Sequence, residues 1–420
     1  MGSNLSERKT LAIIVGGGPA PGINGVISAA TIEAVNEGMR IIGLSGGFKS
    51  LFEGKRDCVV PLGIDDVSRI HSTGGSILGT SREYPDKVKD RFRVLMKTLK
   101  SLRVRSLITI GGDGTAYMAR WIGQEARGSL SVAHVPKTID NDLLLPGGMP
   151  TFGYETARHY GVALVKNLME DAKTMGRWYF VTTMGRSVGH LALGIGKASG
   201  ATLTLIPEEF EEGTIRCGNV ADIIEGTIIK RLSMGKRHGV VVMAEGIADR
   251  LDAGELAKYE HLEKDETGRV RLSEIQLGRI AKLLVRTSLA KRGIGVTIVD
   301  KNIGYELRAA DPIPFDIEYT RNLGYGAVKF LSRGGSDAMI TFCEGRLTAV
   351  PFADMFDVVA QRMKVRKVDI RSENYEVGQK YMIRLGADDF TPQNLRILSK
   401  AAGLPVGDFM KRFGRVCREA

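Results

Sequence analysis

Short apolar runs, each followed by glycine or polar residues and then a helix-like stretch, recur along the chain. Residues 11–15, 40–44, 106–110, 131–135, 177–183, 201–206, 239–244 and 295–299 read as buried strands, and 338–342 with 347–350 as a late pair. Helical patterns run to about 38, over 91–102, onward from 116, and over 154–172, 189–198, 273–291 and 315–331. Strand followed by helix, repeated, predicts parallel sheets with helices on both faces. The mixed, charged segment 249–270 reads as an insertion. The acidic run Glu208, Glu209, Glu211 and Glu212 reads as a solvent-facing loop, and the tail from 366 as short helices and loops.

At 420 residues the chain exceeds what one core usually covers, so two lobes are expected. The fold class predicted is α/β: two Rossmann-like lobes with mainly parallel sheets flanked by helices, and an active site in the cleft between them. Fifty-two glycines suit many tight strand-to-helix turns. The formal net charge is +11, but the 59 basic residues are spread out. Without an RNP-type motif, zinc-finger spacing or a basic tail, no nucleic-acid partner is expected; phosphorylated small molecules explain the charge equally well. Cys58, Cys217, Cys343 and Cys417 are far apart and form no CxxC pair, which fits reduced thiols rather than a disulfide framework or zinc site. Residues 1–10 are polar and no apolar run reaches about 18 residues, so neither a signal peptide nor a membrane span is predicted. A cytoplasmic protein is expected.

Candidate chemistry stands where strands end. Residues 136–142 (Pro-Lys-Thr-Ile-Asp-Asn-Asp) follow the run 131–135 and carry two carboxylates, an ammonium and a hydroxyl. At the carboxyl end of a parallel sheet, that is where open α/β folds bind ligands. Thr, Asp and Asn also favour helix starts, so alone the segment reads equally well as a capped turn. Gly16-Gly17-Gly18, running through Gly22 to Asn24, is a strand–glycine–helix turn able to offer backbone amides to an anion. It is neither GxGxxG nor a Walker P-loop. Gly74 to Arg82 is a second glycine-rich loop ending in a cation. Gly111-Gly112-Asp113-Gly114-Thr115 places an acid at a strand end and helix start, where Asp113 suits Mg²⁺ that completes its shell with water and substrate phosphates.

Taken in order, these segments and Met184-Gly185-Arg186 resemble the phosphofructokinase family over roughly residues 11–350. The resemblance implies phosphoryl transfer to the 1-hydroxyl of fructose 6-phosphate, in glycolysis. It implies Asp140 as general base with Thr138 and Asp142 flanking it, and a donor site of Gly17, Gly18, Arg82, Gly112, Asp113, Gly114, Thr115 and Lys137. It implies sugar-phosphate contacts at Thr138, Asp140, Arg177, Met184, Gly185, Arg186, Glu245, Tyr305 and Arg308, with Asp113 holding Mg²⁺. Arg177 would reach a neighbouring subunit's site, which implies a homodimer or homotetramer. The expected division is a phosphoryl-donor lobe over 1–180, a sugar-phosphate lobe over 181–350 and an extension over 351–420 packed on the lobes.

The donor is less uniform. Pyrophosphate-using relatives typically carry Asp at the position of Gly114 and Lys at that of Lys137, whereas bacterial ATP users have Gly at both. This chain pairs Gly114 with Lys137. Gly leaves room for an α-phosphate, which favours ATP, with pyrophosphate as the alternative. Ser45 stands where the family has an adenine-stacking tyrosine. A non-catalytic regulatory subunit is the second alternative, opposed by retention of Asp113, Asp140 and Asp142.

Overall fold

The computed structural model describes residues 9–83, 91–256, 258, 275–359 and 362–417. Most of the expected insertion at 249–270 lies outside them. The chain forms two compact units, 1–157 with 305–366, and 158–304 with 367–420.

Unit 1 is built on a seven-stranded sheet. Its strands are β1 (Thr10–Val15), β2 (Arg40–Leu44), β3 (Val59–Pro61), β4 (Val104–Gly111), β5 (Ser131–Pro136), and the later β10 (Ala338–Cys343) and β11 (Arg346–Pro351), in the spatial order β11-β10-β5-β4-β1-β2-β3. The pairs β1–β2, β1–β4, β4–β5 and β5–β10 are parallel; the edge strands β3 and β11 are antiparallel. The apolar runs have no polar alternate because both faces are covered. Ala12, Ile14, Leu107 and Val132 enter one core, while Leu11, Ile13, Val15, Ile108 and Val135 enter the other. Helix α1 (Ile23–Asn36) packs on the second face against α2 (Pro314–Ser332). Contact is close: a Cβ at Gly324 would lie 2.6 Å from the Val26 carbonyl oxygen, and one at Gly25 would lie 2.3 Å from the Thr320 hydroxyl.

Unit 2 holds β6 (Trp178–Thr183), β7 (Leu203–Leu205), β8 (Gly239–Ala244) and β9 (Ile298–Ile303), all parallel in the order β7-β8-β6-β9. Trp178, Phe180, Val241 and Met243 fill one core with Phe409 and Phe413 of the terminal helix α3 (Val406–Phe413).

The α/β class is as expected, but the units are not the contiguous 1–180, 181–350 and 351–420 segments. Residues 305–350 join the first sheet because β10 pairs with β5 and α2 seals α1. The expected extension is not one appendage. Phe352, Met355, Phe356 and Met363 complete a core of unit 1, and Leu385, Leu395 and Leu398 that of unit 2. The acidic loop is corrected in part: Glu211 and Glu212 are exposed as expected, but Glu208 and Glu209 are not. Glu208 accepts from the Gly189 and Val368 amides, both at 3.0 Å, and Arg384 donates to Glu209 at 2.7 Å. Each of these acids has a donor from the tail, Val368 or Arg384, which local sequence does not reveal.

Phe409 is fully buried, its ring centroid 4.8 Å from that of Phe413. Phe409→Ala is expected to cost about 3–5 kcal/mol. A fall in the urea midpoint checks it; a surface-like change below about 0.5 kcal/mol would contradict a core role for the tail.

Candidate active site

Because β5, β4 and β1 are parallel neighbours, their carboxyl ends deliver three loops to one edge of the unit 1 sheet. The Gly16 amide donates to the Ile110 carbonyl at 2.9 Å, and the Lys137 amide to the Gly111 carbonyl at 2.8 Å. The loop that ends at Arg82 joins them: the Gly17 amide donates to the Ser81 carbonyl at 2.9 Å, and the Thr80 hydroxyl to the Gly17 carbonyl at 2.7 Å.

Thr115 explains two of the glycines. A Cβ at Gly16 would lie 2.4 Å, and one at Gly111 2.2 Å, from its hydroxyl oxygen. Thr115 is therefore a buried spacer between two loops, with its side chain turned into the fold. Gly17 has φ 81°, a left-handed conformation that costs a residue with a Cβ about 1–2 kcal/mol. Asp113 and Gly114 open the helix Asp113–Ala126, both partly exposed, and nothing lies within 4 Å of a Cβ at Gly114.

Three cations converge on Gly18. Lys137, 4% exposed, donates its ammonium to the Gly18 carbonyl. The position of a Gly18 Cβ lies 3.0 Å from Arg308 Nη1 and 3.5 Å from Arg82 Nη2. Burial pushes the Lys137 ammonium down to about 8; Asp140 and Asp142 counter that shift, while Arg82 and Arg308 add to it. Arg308 also sits over the ring of Tyr305, 4.5 Å from its centroid, and Tyr305 is largely exposed. Arg308, expected with the sugar phosphate, thus stands beside the first glycine loop.

The 136–142 loop is held from within and from afar. The Asp140 amide donates to the Thr138 hydroxyl at 3.0 Å, and the Thr151 hydroxyl to the Thr138 carbonyl at 2.7 Å. Asp140 is partly buried and Asp142 buried. Asn141 is left-handed at φ 58°, and its side-chain oxygen accepts from the Thr151 amide at 3.1 Å. Arg366 supplies what sequence reading missed. Its guanidinium donates to the Asn141 carbonyl at 3.1 Å, the Met149 carbonyl at 3.0 Å and the Asn141 side chain, while its amide donates to the Asp142 carbonyl at 2.7 Å. No local signal marks Arg366, which lies 225 positions after Asn141.

A second set of expected residues lies in unit 2. Glu245 accepts from the Gly185 and Arg186 amides at 3.1 and 2.8 Å, which fixes the turn after β6. Arg186 is left-handed at φ 54°. Met184 packs so closely on Gly304 that a Cβ there would lie 2.4 Å from its Cγ. Arg177 makes a two-pronged contact with Asp171 of its own chain, at 2.7 and 2.8 Å, and Tyr179 donates to the same carboxylate at 2.5 Å. The arginine holds the Asp171 carboxyl below the usual range.

Among the described residues no cluster of three or more His, Cys, Asp or Glu is suited to hold a metal. A single carboxylate such as Asp113 still fits Mg²⁺ that brings water and substrate phosphates as its other ligands. No helix among the described residues is long and apolar enough to cross a membrane.

The phosphofructokinase profile matches residues 10–331. The chain belongs to that family. It is 52% identical over 97% of its length to a pyrophosphate–fructose 6-phosphate 1-phosphotransferase of Thermotoga maritima, covering 98% of that protein. It is 45% identical over 96% of its length to a protein of the same name from Naegleria fowleri, covering 95% of it. An ATP-dependent 6-phosphofructokinase of Mycobacterium bovis is 32% identical over 82% of this chain and 93% of its own. Among solved structures, a pyrophosphate-dependent phosphofructokinase of Nitrosospira multiformis shares the fold at a TM-score of 0.66 and 17% identity, over 94% of this chain and 92% of that one. The Saccharomyces cerevisiae phosphofructokinase shares it at 0.65 and 20% identity over 97% of this chain, which spans half of the yeast chain's length. In this phosphofructokinase-family chain, the donor-loop and base-loop residues expected from sequence fall together in unit 1, and five of the expected sugar-phosphate residues fall in unit 2.

Arg366→Ala strips the side-chain donor from the buried Asn141, both its carbonyl and its side chain, and from the Met149 carbonyl, while the amide bond to Asp142 remains. Each unsatisfied acceptor costs about 1–3 kcal/mol, so a lower urea midpoint and a lower kcat are expected together. Unchanged stability would mean the loop stands without it.

Proposed function

We propose that this chain transfers a phosphoryl group from pyrophosphate to the 1-hydroxyl of fructose 6-phosphate. The observation that carries the proposal is the convergence of Lys137, Arg82 and Arg308 on Gly18. Bringing two anions together requires neutralisation of the donor, and preorganised cations supply it without reorganisation. Near-full-length identity of 52% and 45% to proteins named for pyrophosphate supports the donor. The ATP expectation rested on room at Gly114. That room is present, but space alone recognises nothing. Position 45 is serine, where the family resemblance puts an adenine-stacking tyrosine. Identity of 52% and 45% to the proteins named for pyrophosphate, against 32% to one named for ATP, supports the alternative donor over the first.

In this reading Asp140 accepts the proton of the 1-hydroxyl as its oxygen attacks the terminal phosphorus. The bond from that phosphorus to the bridging oxygen breaks, and inorganic phosphate leaves. Thr138 already accepts from the Asp140 amide, so its own O–H is left to donate to a phosphate oxygen or the sugar. Asp140 and, more weakly, Asp142 favour the charge on the buried Lys137. Mg²⁺, held through Asp113 and the donor, would supply further charge neutralisation. Arg186, Met184, Gly185, Glu245 and Arg177 are proposed for the sugar phosphate, with Tyr305 at the edge of the donor cations.

One assay of the purified protein with each donor tests the proposal. Turnover with pyrophosphate well above that with ATP is expected; the reverse ranking refutes the donor. Asp140→Ala should lower kcat by about 10²–10⁴-fold, and a near-normal rate would remove Asp140 as base.

Lys137 is charged below about 8 and loses its charge as pH rises through that value. The kcat/KM for pyrophosphate should therefore fall on the alkaline side of about 8. In Lys137→Met that limb should be absent and the plateau lower; an unchanged limb would assign it to another group.

A further inference from the structure

The loop that ends at Arg82 is fastened at its far end to Gly17. Its near end is fastened by two residues, Asn24 and Asp311, that are not among the expected site residues. Asn24, buried in the first turn of α1, donates to the Thr73 carbonyl at 3.3 Å, the Thr73 hydroxyl at 3.0 Å and the Gly74 carbonyl at 3.1 Å. Its side-chain oxygen accepts from the Ile77 amide at 2.9 Å. The Gly74 amide donates to Asp311 at 2.8 Å. Backbone contact reinforces the join, since a Cβ at Gly74 would lie 2.3 Å from the Ala309 carbonyl oxygen and 2.7 Å from that of Ala310.

Asp311 follows Arg308 by three positions, and Arg308 lies against Gly18. One short segment, 305–311, therefore carries a cation to the first glycine loop and a carboxylate to the base of the second. Asp311 is exposed, so no core packing requires it. Its placement is explained by the amide it holds. We propose that Asp311, assisted by Asn24, is a positioning residue: it sets the spacing of Arg82 and Arg308 around Gly18 by pinning the loop base to the segment that bears Arg308. This inference rests on the reading that these two arginines hold the donor.

Because a displacement of the order of 1 Å at a reacting centre can cost about a hundredfold, Asp311→Ala should lower kcat/KM for pyrophosphate by about tenfold or more. The KM for fructose 6-phosphate should change by less than about twofold, and the melting temperature little, since Asp311 is exposed. Asp311→Asn keeps an oxygen facing the Gly74 amide and should restore most of the loss. In a double-mutant cycle, Asp311→Ala added to Arg82→Ala should cost much less than it does alone, because residues acting through one another are not additive. Hydrogen exchange across 73–82 should accelerate in Asp311→Ala and return in Asp311→Asn. Additivity with Arg82→Ala, no rescue by Asn, or unchanged exchange would each overturn the inference. If the parent enzyme proves to use ATP, the donor reading fails by itself, and the same cycle run with ATP as the varied donor decides the role of Asp311.

Discussion

The parallel pairing of β1, β4 and β5 is the constraint on which the site depends. In a parallel sheet neighbouring strands end on the same side, so three loops far apart in sequence arrive together. The register makes this definite: Ile110 stands beside Val15, and Pro136 beside Gly111. The next amides continue the ladder into the loops, Gly16 to Ile110 and Lys137 to Gly111. The glycine turn, the acid-bearing turn and the base loop are thus set against one another by main-chain bonds before any side chain contributes.

On that frame, charge is balanced at short range. Lys137 is 4% exposed, a costly state for an ammonium unless paired. Its ammonium is met by the Gly18 carbonyl and by the fields of Asp140 and Asp142, against those of Arg82 and Arg308. Asp142 in turn faces the charge of Arg366, whose guanidinium donates to the Asn141 carbonyl of the same loop and to the Met149 carbonyl. The result is a 136–142 loop tied by hydrogen bonds through a left-handed Asn141, beside three converging cations.

Connectivity follows from what each sheet needs to cover it. β10 and α2 come from beyond residue 304 yet close the first sheet and its α1 face. The terminal helix fills the core beside β6 and β8. Phe409 and Phe413, which lie beyond the matched segment 10–331, are fully buried in that core.

Much was legible from local pattern. Continuous apolar runs next to glycine mark the strand ends, as a doubly covered parallel sheet allows, and the glycine loop at 16–18, Asp113 and the 136–142 segment were singled out at the strand ends where they stand. Three things were not legible. Thr115 faces inward because two glycines leave it room. Arg308 lies beside Gly18 because the segment after β9 returns to the first unit. Arg366 and Asp311 act on loops more than two hundred residues away. Side-chain chemistry and strand periodicity are properties of neighbours in sequence, so one chain read alone determines them. Which loop a distant cation or carboxylate will meet depends on how sheets close and helices pack, and only the tertiary structure decides that.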